Sequence, residues 1–473
     1  MATTKGIRYD WANLRADVVG SGQGLTPADL ESHRDAARHA VEAIGARLDS
    51  GEFGFASLPD DRKTLAAVER YARAQRRLPA QAGFKSILLL GIGGSALGPF
   101  ALDALANGPR PFRRKRVAAE LWVLDNVDPL ILGRALEQLD PRQTLVLVIT
   151  KSGETGETMA QFLIVYDWLR KKLGAKKAAR QVAVVTDPRK GDLLDIARGE
   201  GFALFHVPPN VGGRFSVLTP VGLLPSALVG VNVKKLLAGA GSVVAACRKP
   251  DLNSNPALQF ALHQYLLDTR CGKHIQAIFC YSNALWALAF WYRQLWVESL
   301  GKRTDRKKRE VNVGQTCVEA LGVTDQHSQS QLYMEGPRDK VIVFWEVERD
   351  PYTIRIPKLF PKHTATGYLG GHTLNELFRA EKLATELAFT EVGRPNCNVV
   401  FPAADEYHVG QLMMMMEFAT AYAGEFYDIN AFDQPGVQLG KDLTYALLGR
   451  PGFDAERRRI DAYRKQKAAL TRR

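Results

Sequence analysis

The 473-residue sequence predicts an α/β fold of two lobes, each a mainly parallel sheet flanked by helices, behind a helical N-terminal arm. Apolar runs of strand length alternate with helical patterns from residue 86 onward, as in parallel sheets covered on both faces. The second half coarsely repeats the layout of the first. The chain length and the 46% hydrophobic content allow a large core and two lobes of similar size.

The N-terminal arm, residues 1–80, is predicted to be helical. Thr26-Pro27 is a helix cap followed by a first-turn proline, and the amphipathic pattern continues to about Leu48. A second, basic helix is predicted from about Arg62 to Arg77, ahead of a proline.

The first lobe is predicted over residues 81–240, the second over 241–450, and a basic tail over 451–473. Short apolar, β-branched runs give the strands. The predicted strands are 86–90, 121–124, 144–149, 182–185 and 203–205, then 275–280, 341–345 and 398–401. Helices are predicted at 159–169, 257–269 and 285–300.

Composition excludes several classes of function. The net charge of +13 favours anionic ligands, but basic residues are scattered apart from 306–309 and the tail, and aromatic residues do not interleave with them. Nucleic acid is therefore not an expected partner. No apolar stretch has the length of a membrane span or signal core. The five cysteines have no close pairing and the histidines no metal-ligand spacing, so we expect reduced thiols, no metal and a cytoplasmic protein.

A loop rich in hydroxyl groups, residues 150–158, lies between a predicted buried strand and a predicted helix. A helix N-terminus offers unpaired N–H groups and the positive end of a dipole, which suit a phosphate. The candidate ligands to that phosphate are Thr150, Lys151, Ser152, Thr155 and Thr158. The alternative is that Thr155 or Thr158 only caps the helix.

Two glycine-containing loops follow other strands. Gly94 and Ser95, in the loop 91–99, would present N–H groups and a hydroxyl to an oxyanion or sugar hydroxyl. A dinucleotide site is an alternative, but Asp125 comes later than the acidic residue of such sites. Arg214, in the loop 211–216, follows the last strand of the first lobe, where ligands bind in open α/β sheets.

Six collinear segments together resemble the glucose-6-phosphate isomerase family. These segments are 91–99, 150–158, 212–216, 294–299, 325–328 and 432–441. The resemblance implies two sugar-isomerase (SIS-type) lobes and a cofactor-free aldose–ketose isomerisation between glucose 6-phosphate and fructose 6-phosphate in glycolysis and gluconeogenesis. It also implies a homodimer.

The resemblance assigns roles to individual residues. Glu298 matches the base that moves a proton between C1 and C2 through a cis-enediolate, and Arg214 matches the arginine that stabilises the enediolate charge. Gln294 and Gln434 match residues beside the substrate.

The same resemblance assigns ring opening to His327 and Lys441, with His327 reaching the active site of the partner subunit. Two alternatives stay open. A phosphosugar-binding regulator could keep Ser152, Thr155 and Thr158 but would have no need for Glu298, His327 and Lys441 together. An isomerase with additional mannose 6-phosphate activity would keep all of them.

Overall fold

The computed structural model describes residues 6–75, 83–114 and 118–471. The strands are β1 (Arg8–Asp10), β2 (Ser86–Leu90), β3 (Glu120–Leu124), β4 (Thr144–Ile149), β5 (Val182–Thr186), β6 (Ala203–His206), β7 (Ile275–Tyr281), β8 (Lys302–Thr304), β9 (Glu310–Val313), β10 (Thr316–Leu321), β11 (Lys340–Arg349) and β12 (Asn396–Ala403).

The helices alternate with these strands through most of the chain. Up to the end of the first lobe they are α1 (Ala16–Val19), α2 (Pro27–Glu31), α3 (Arg34–Asp49), α4 (Arg62–Gln75), α5 (Leu97–Asn107), α6 (Pro129–Gln138), α7 (Gly156–Leu173), α8 (Ala175–Arg180), α9 (Asp192–Glu200) and α10 (Pro220–Leu228). The remaining helices are α11 (Val233–Cys247), α12 (Pro256–Cys271), α13 (Asn283–Leu300), α14 (Ser330–Glu335), α15 (Thr364–Gly367), α16 (Leu374–Glu391), α17 (Glu406–Phe426), α18 (Gln438–Leu447) and α19 (Asp454–Leu470).

The first sheet has the order β3-β2-β4-β5-β6, and all its strand pairs are parallel. Alternate residues of β4 enter two different cores: Leu145 and Leu147 face the large core shared with the second lobe, and Val146 and Val148 pack with α6, α7 and α9. Burial on both faces explains why these strands are continuously apolar.

The second sheet has the order β1-β12-β11-β7-β10. Strands β12, β11, β7 and β10 are parallel, and β1 from the N-terminal arm adds an antiparallel edge. The predicted fold class, two mainly parallel sheets flanked by helices, is confirmed.

The same strand order occurs around β2 in the first sheet and β7 in the second. In the first sheet β3 lies on one side of β2, and β4 and β5 lie on the other. In the second sheet β10 likewise lies on one side of β7, and β11 and β12 lie on the other. The direction in which successive strands are added to the sheet therefore reverses between β2 and β4, and again between β7 and β11. Ligands of open parallel sheets bind beyond the carboxyl ends of the strands at such a reversal.

The predicted strands of both lobes are confirmed; 86–90 and 144–149 have the predicted bounds, and the others shift by one to four residues at their ends. Strand β10 was not predicted, because Thr316 and Glu319 interrupt its apolar pattern; its parallel pairing with β7 stabilises it. Strand β1 shows that the arm is not wholly helical, and residues 454–470 of the predicted tail form α19.

One helix prediction in the arm differs from the structure. The predicted helix 26–48 is interrupted between α2 and α3, where the side chains of Ser32 and His33 both lie within hydrogen-bond distance of the Asp29 carbonyl. The predicted end of the following helix, Arg77, lies outside the described residues.

The boundary predicted between residues 240 and 241 falls inside α11. Gly239 in this helix serves close packing, since a Cβ on it would lie 1.8 Å from the Tyr407 carbonyl oxygen, at the contact with α17. Where the second lobe begins stays a prediction. None of the described helices combines the length and apolar character needed to cross a membrane.

Candidate active site

Three loops of the first lobe lie together, and two of them contact the C-terminal half of α13 from the second lobe. We call them the glycine loop (residues 91–96), the hydroxyl loop (150–155) and the arginine loop (211–216). The first two follow β2 and β4, so they lie at the reversal of strand order in the first sheet. The glycine and arginine loops contact each other, and α13 contacts both.

Three side-chain hydroxyls cluster in the hydroxyl loop. The Oγ1 atoms of Thr150 and Thr155 are 2.7 Å apart, and Ser152 Oγ lies 3.3 Å from each. Ser152 also accepts a hydrogen bond from the Glu154 backbone N–H at 3.2 Å. Hydroxyls whose protons are donated only to one another can rotate to donate to an added oxyanion.

The N-terminus of α7 is open beside this cluster. Thr155 is its N-cap residue, but no side-chain capping hydrogen bond is present there. The first-turn N–H groups and the helix dipole are thus available to an anion. The alternative that Thr155 merely caps the helix is not supported by this geometry, since its hydroxyl contacts the other two hydroxyls.

Lys151 and Thr158 have less open positions. The Lys151 ammonium donates to the carbonyls of Pro209 and Val211, at 2.9 and 2.7 Å, and so ties the hydroxyl loop to the arginine loop. Burial lowers the Lys151 pKa, although the charge of Asp187 opposes this shift. The hydroxyl of Thr158 is enclosed and has no hydrogen-bond partner among the described residues.

The glycine loop fits between the arginine loop and α13 because Gly93 and Gly94 lack side chains. A Cβ on Gly94 would lie 2.3 Å from the Gly213 carbonyl oxygen, and one on Gly93 would lie 2.7 Å from Gln294 Nε2. A larger residue at Gly94 would displace the loop that carries Arg214. Ser95 is partly exposed at the end of this loop.

Arg214, from the first lobe, is buried and anchored by residues of the second lobe. Its Nε donates to Ser299 Oγ at 2.6 Å, and its Nη1 donates to Gln434 Oε1 at 3.0 Å. Its Nη2 donates to the carbonyls of Ala431 and Asp433 at 2.6 and 3.0 Å. Burial lowers the pKa of Arg214, whereas the charges of Glu298 and Asp433 act to raise it.

Glu298 lies in the last turn of α13 and faces Arg214. Its Oε1 is 3.7 Å from Arg214 Nη1, and its Oε2 accepts a hydrogen bond from Gln294 Nε2 at 3.0 Å. The side chain is 28% exposed, so a substrate has access to the carboxylate. The aromatic residues Trp291 and Trp296 of the same helix point into the core instead.

Lys441 lies on α18, which covers the hydroxyl loop. Tyr445 of this helix lies 3.9 Å from the position that a Cβ on Gly156 would take, at the start of α7. Lys441 is four residues earlier and therefore on the same face of α18. Arg450 and Glu154 form a further link, 3.8 Å apart.

His327 and Glu298 of the same chain lie far apart in space. It ends a 3₁₀ turn, Thr324–His327, that follows β10 next to the end of β7, where Tyr281 Oη donates to Gln326 Oε1 at 2.6 Å. Helix α13 begins at that point and carries Glu298 fifteen residues later, about 22 Å along its axis. His327 is exposed.

A family model described as Phosphoglucose isomerase matches residues 78–463. The chain belongs to this family. The resemblance predicted from six short segments is thus confirmed.

Relatives in the phosphoglucose isomerase family match nearly the whole chain. The glucose-6-phosphate isomerase of Carboxydothermus hydrogenoformans is 46% identical over 447 residues, covering 93% of this chain and 95% of that protein. The glucose-6-phosphate isomerase of Rubrobacter xylanophilus is 42% identical over 450 residues, covering 95% and 99%.

Solved structures agree with the family assignment. A hypothetical protein from Thermus thermophilus superposes with a TM-score of 0.83 at 37% identity, over 93% of this chain and 99% of that one. A glucose-6-phosphate isomerase from Chlamydia trachomatis gives a TM-score of 0.73 at 24% identity, over 85% and 77%, which supports the fold alone.

Sequence reasoning missed three polar contributors to this phosphoglucose isomerase family site. Ser299 and Asp433 hold Arg214, and Lys302 lies buried beside them. Ser299 and Asp433 fall inside two of the six segments, but only the fold shows that both contact Arg214. Among the described residues, no three His, Cys, Asp or Glu side chains are grouped to hold a metal ion.

Proposed function

We propose that this protein is an aldose–ketose isomerase that interconverts glucose 6-phosphate and fructose 6-phosphate through a cis-enediolate. The observation that carries the proposal is the Glu298–Arg214 pair, 3.7 Å apart, at a crevice that also holds an open helix N-terminus with three hydroxyls. The names of the curated relatives support the same reaction.

The phosphate binds at the hydroxyl loop. Ser152, Thr155 and the first-turn N–H groups of α7 donate to its oxygens, and Thr150 orients the two hydroxyls. Lys151 keeps the loop in place through its carbonyl contacts and has one remaining N–H to offer. Thr158 is enclosed, so it supports the loop from the protein interior and does not contact the phosphate.

The proton transfer takes place at Glu298. In the open-chain aldose, the carboxylate removes the proton from C2, and the electron pair moves to form the enediolate with negative charge on oxygen. The O2 hydroxyl proton passes to O1, protonated Glu298 returns its proton to C1, and the C2–O double bond that forms yields the ketose. Arg214 stabilises the enediolate charge, and Gln294, Gln434 and the backbone of Gly94 with Ser95 hold the sugar.

Ring opening requires a proton transfer at the ring oxygen, which we assign to His327 and Lys441. Lys441 is supplied by α18 of the same chain. His327 lies at the opposite end of α13 from Glu298, about 22 Å away along the helix, so it does not act on the sugar bound to its own chain. His327 of the partner subunit therefore completes each site of a homodimer.

The exposed surface supports such a dimer. One face of α13 carries Trp286, Phe290 and Arg293 from the His327 end toward the Glu298 end, with exposed Phe100 beside it. A two-fold axis crossing near the middle of α13 would bring the His327 end of one chain to the Glu298 end of the other. The connection 350–373 exposes further apolar residues, including Tyr352 and Phe360.

The five free cysteines support a cytoplasmic location. A phosphosugar-binding regulator is the alternative that the Glu298–Arg214 pair disfavours, because binding alone does not require a carboxylate beside the sugar carbons. Mannose 6-phosphate activity is compatible with the same groups, since this substrate differs only in how its C2 proton is placed relative to Glu298.

A coupled assay tests the reaction and its scope. Purified protein should convert fructose 6-phosphate to glucose 6-phosphate, with mannose 6-phosphate and a no-enzyme sample run in parallel. Absence of turnover in a folded protein that still binds phosphosugar would favour the regulator.

Mixed dimers test the shared site. Glu298→Gln and His327→Ala homodimers should each be inactive, whereas a mixed dimer has one site with both defects and one with neither. Random pairing makes about half of the dimers mixed, so roughly a quarter of wild-type activity should return. If tagged mixed dimers are recovered and remain inactive, His327 acts within its own chain.

A further inference from the structure

Lys302 is a second buried cation beside Arg214 and Glu298. The ammonium of Lys302 donates to the carbonyl oxygens of Ser299 at 2.6 Å and Glu298 at 3.1 Å. These are carbonyls of the last turn of α13, which have no partner within the helix. The same ammonium lies 3.8 Å from Asp433 Oδ1, and the side chain is 6% exposed.

Lys302 and Arg214 join the same two pieces of the protein. Arg214 bonds Ser299 on α13 and the carbonyl of Asp433, and Lys302 bonds the carbonyl of Ser299 and approaches the carboxylate of Asp433. The last turn of α13 is thereby held against the segment 431–434 from two sides. Glu298 lies in that turn, and its position depends on both cations.

We propose that Lys302 is a positioning residue for the isomerisation: it fixes the last turn of α13 against Asp433 so that Glu298 and Arg214 keep their relative placement, and it balances the charge that develops there. The inference rests on the proposed function and extends it to a residue that touches neither the sugar nor the phosphate in the proposed arrangement.

The charges of the four ionisable groups are consistent with this role. Before proton transfer, Arg214 and Lys302 are balanced by Glu298 and Asp433. After Glu298 takes the proton, the two cations face Asp433 alone, which leaves one positive charge opposite the enediolate. Without Lys302 the negative charge of Asp433 would oppose Arg214 in stabilising that intermediate.

The ionisation of Lys302 predicts how kcat and stability depend on pH. Burial and, secondarily, the charge of Arg214 lower the Lys302 pKa to about 8, against the opposing charges of Asp433 and Glu298. Because this folded-state pKa lies below 10.5, the unfolded chain binds more protons between the two values, and this group adds stability as pH rises. A fall in kcat through pH 8 would therefore reflect the site and not unfolding.

The test compares wild-type protein with Lys302→Met, Lys302→Arg and the control Lys382→Met. Lys382 is similarly buried, but it pairs with Glu346 and Glu386 on the outer face of the second sheet. Loss of hydrogen bonds to a charged group predicts a roughly 10- to 100-fold lower kcat for Lys302→Met, with KM changed much less. Lys302→Arg should recover most of the rate and shift the alkaline fall upward, since arginine stays charged.

Hydrogen exchange separates this role from the reaction itself. Exchange in residues 294–300 should accelerate in Lys302→Met and not in Lys382→Met, whatever the protein catalyses. An inactive wild-type protein with this exchange pattern would contradict the proposed function and keep the positioning role. Unchanged exchange together with a normal kcat in Lys302→Met, or an alkaline fall identical in Lys302→Arg, would overturn the proposal.

Discussion

The crevice between β2 and β4 in the first sheet and the crevice between β7 and β11 in the second occupy equivalent places in the same strand order. In the first, a six-residue loop, 150–155, leads from β4 to α7. In the second, 24 residues, 350–373, separate β11 from α16. The two helices that follow differ in the hydrogen bonds at their N-termini.

Both helices have threonine at the N-cap, but only one of the two threonines acts as a cap. Thr373 accepts a hydrogen bond from the Glu376 N–H at 3.1 Å, and the Glu376 carboxylate accepts one from the Thr373 N–H at 2.7 Å, which completes a capping box. Thr155 makes no capping bond and leaves the start of α7 open. The second crevice is lined by Asp350 and Glu381, which would repel a phosphate.

In the proposed function one topology gives a single phosphate site, and this difference in the loops is the reason. Strand order decides where a crevice lies, and the loop chemistry decides what it binds. The second lobe contributes through α13 instead, whose last turn carries Glu298 to the crevice of the first lobe. The predictions below test this division, from the largest expected effect to the smallest.

Glu298→Gln should lower kcat by roughly 100- to 10,000-fold, because the amide cannot accept the proton that a general base removes. Binding of a phosphorylated sugar acid should change little, since the phosphate site is in the other lobe. Exchange of the C2 proton of glucose 6-phosphate with solvent deuterium, followed by NMR, should disappear with turnover.

Glu376→Gln is the matched control in the second lobe, where glutamine also serves in a capping box. It should leave both turnover and exchange unchanged. Retained proton exchange in Glu298→Gln would remove this glutamate from the role of base.

Replacing Ser152 and Thr155 together by alanine should weaken phosphosugar binding more than it slows the chemical step. Each hydrogen bond to a charged group contributes about 1.5–3 kcal/mol, so KM should rise by at least roughly tenfold. Calorimetry with a phosphorylated sugar acid measures the loss directly. Unchanged affinity in the folded double variant would place the phosphate elsewhere.

The sequence was sufficient for the parts of the site that lie in one segment. The strand before residue 150, the hydroxyls after it and the helix that follows are local features, and all three were predicted. The family resemblance supplied Glu298, and the 3.7 Å distance from its carboxylate to Arg214 agrees with the prediction that the two residues belong to the same active site.

Features that depend on contacts between distant segments could not be predicted. The burial of Lys302 depends on Asp433, 131 positions later in the sequence. The open state of the α7 N-terminus was also undetermined, because Thr155 and Thr373 look alike as N-cap candidates. Likewise, the need for glycine at position 239 could not be predicted, because the Tyr407 carbonyl that it accommodates lies 168 positions later in the sequence.

The smallest expected effects come from the single substitutions Thr155→Ala and Thr373→Ala, which remove the same side chain from equivalent helix starts. Thr373→Ala loses a real cap, so the free energy of unfolding should fall by about 1 kcal/mol with KM unchanged. Thr155→Ala loses no cap, so stability should change less while KM rises. Urea unfolding gives the free energy of unfolding of each variant, and steady-state kinetics gives its KM. Equal losses of stability would mean that Thr155 caps α7 in solution, and the contrast between the two crevices would then not explain why only one of them binds phosphate.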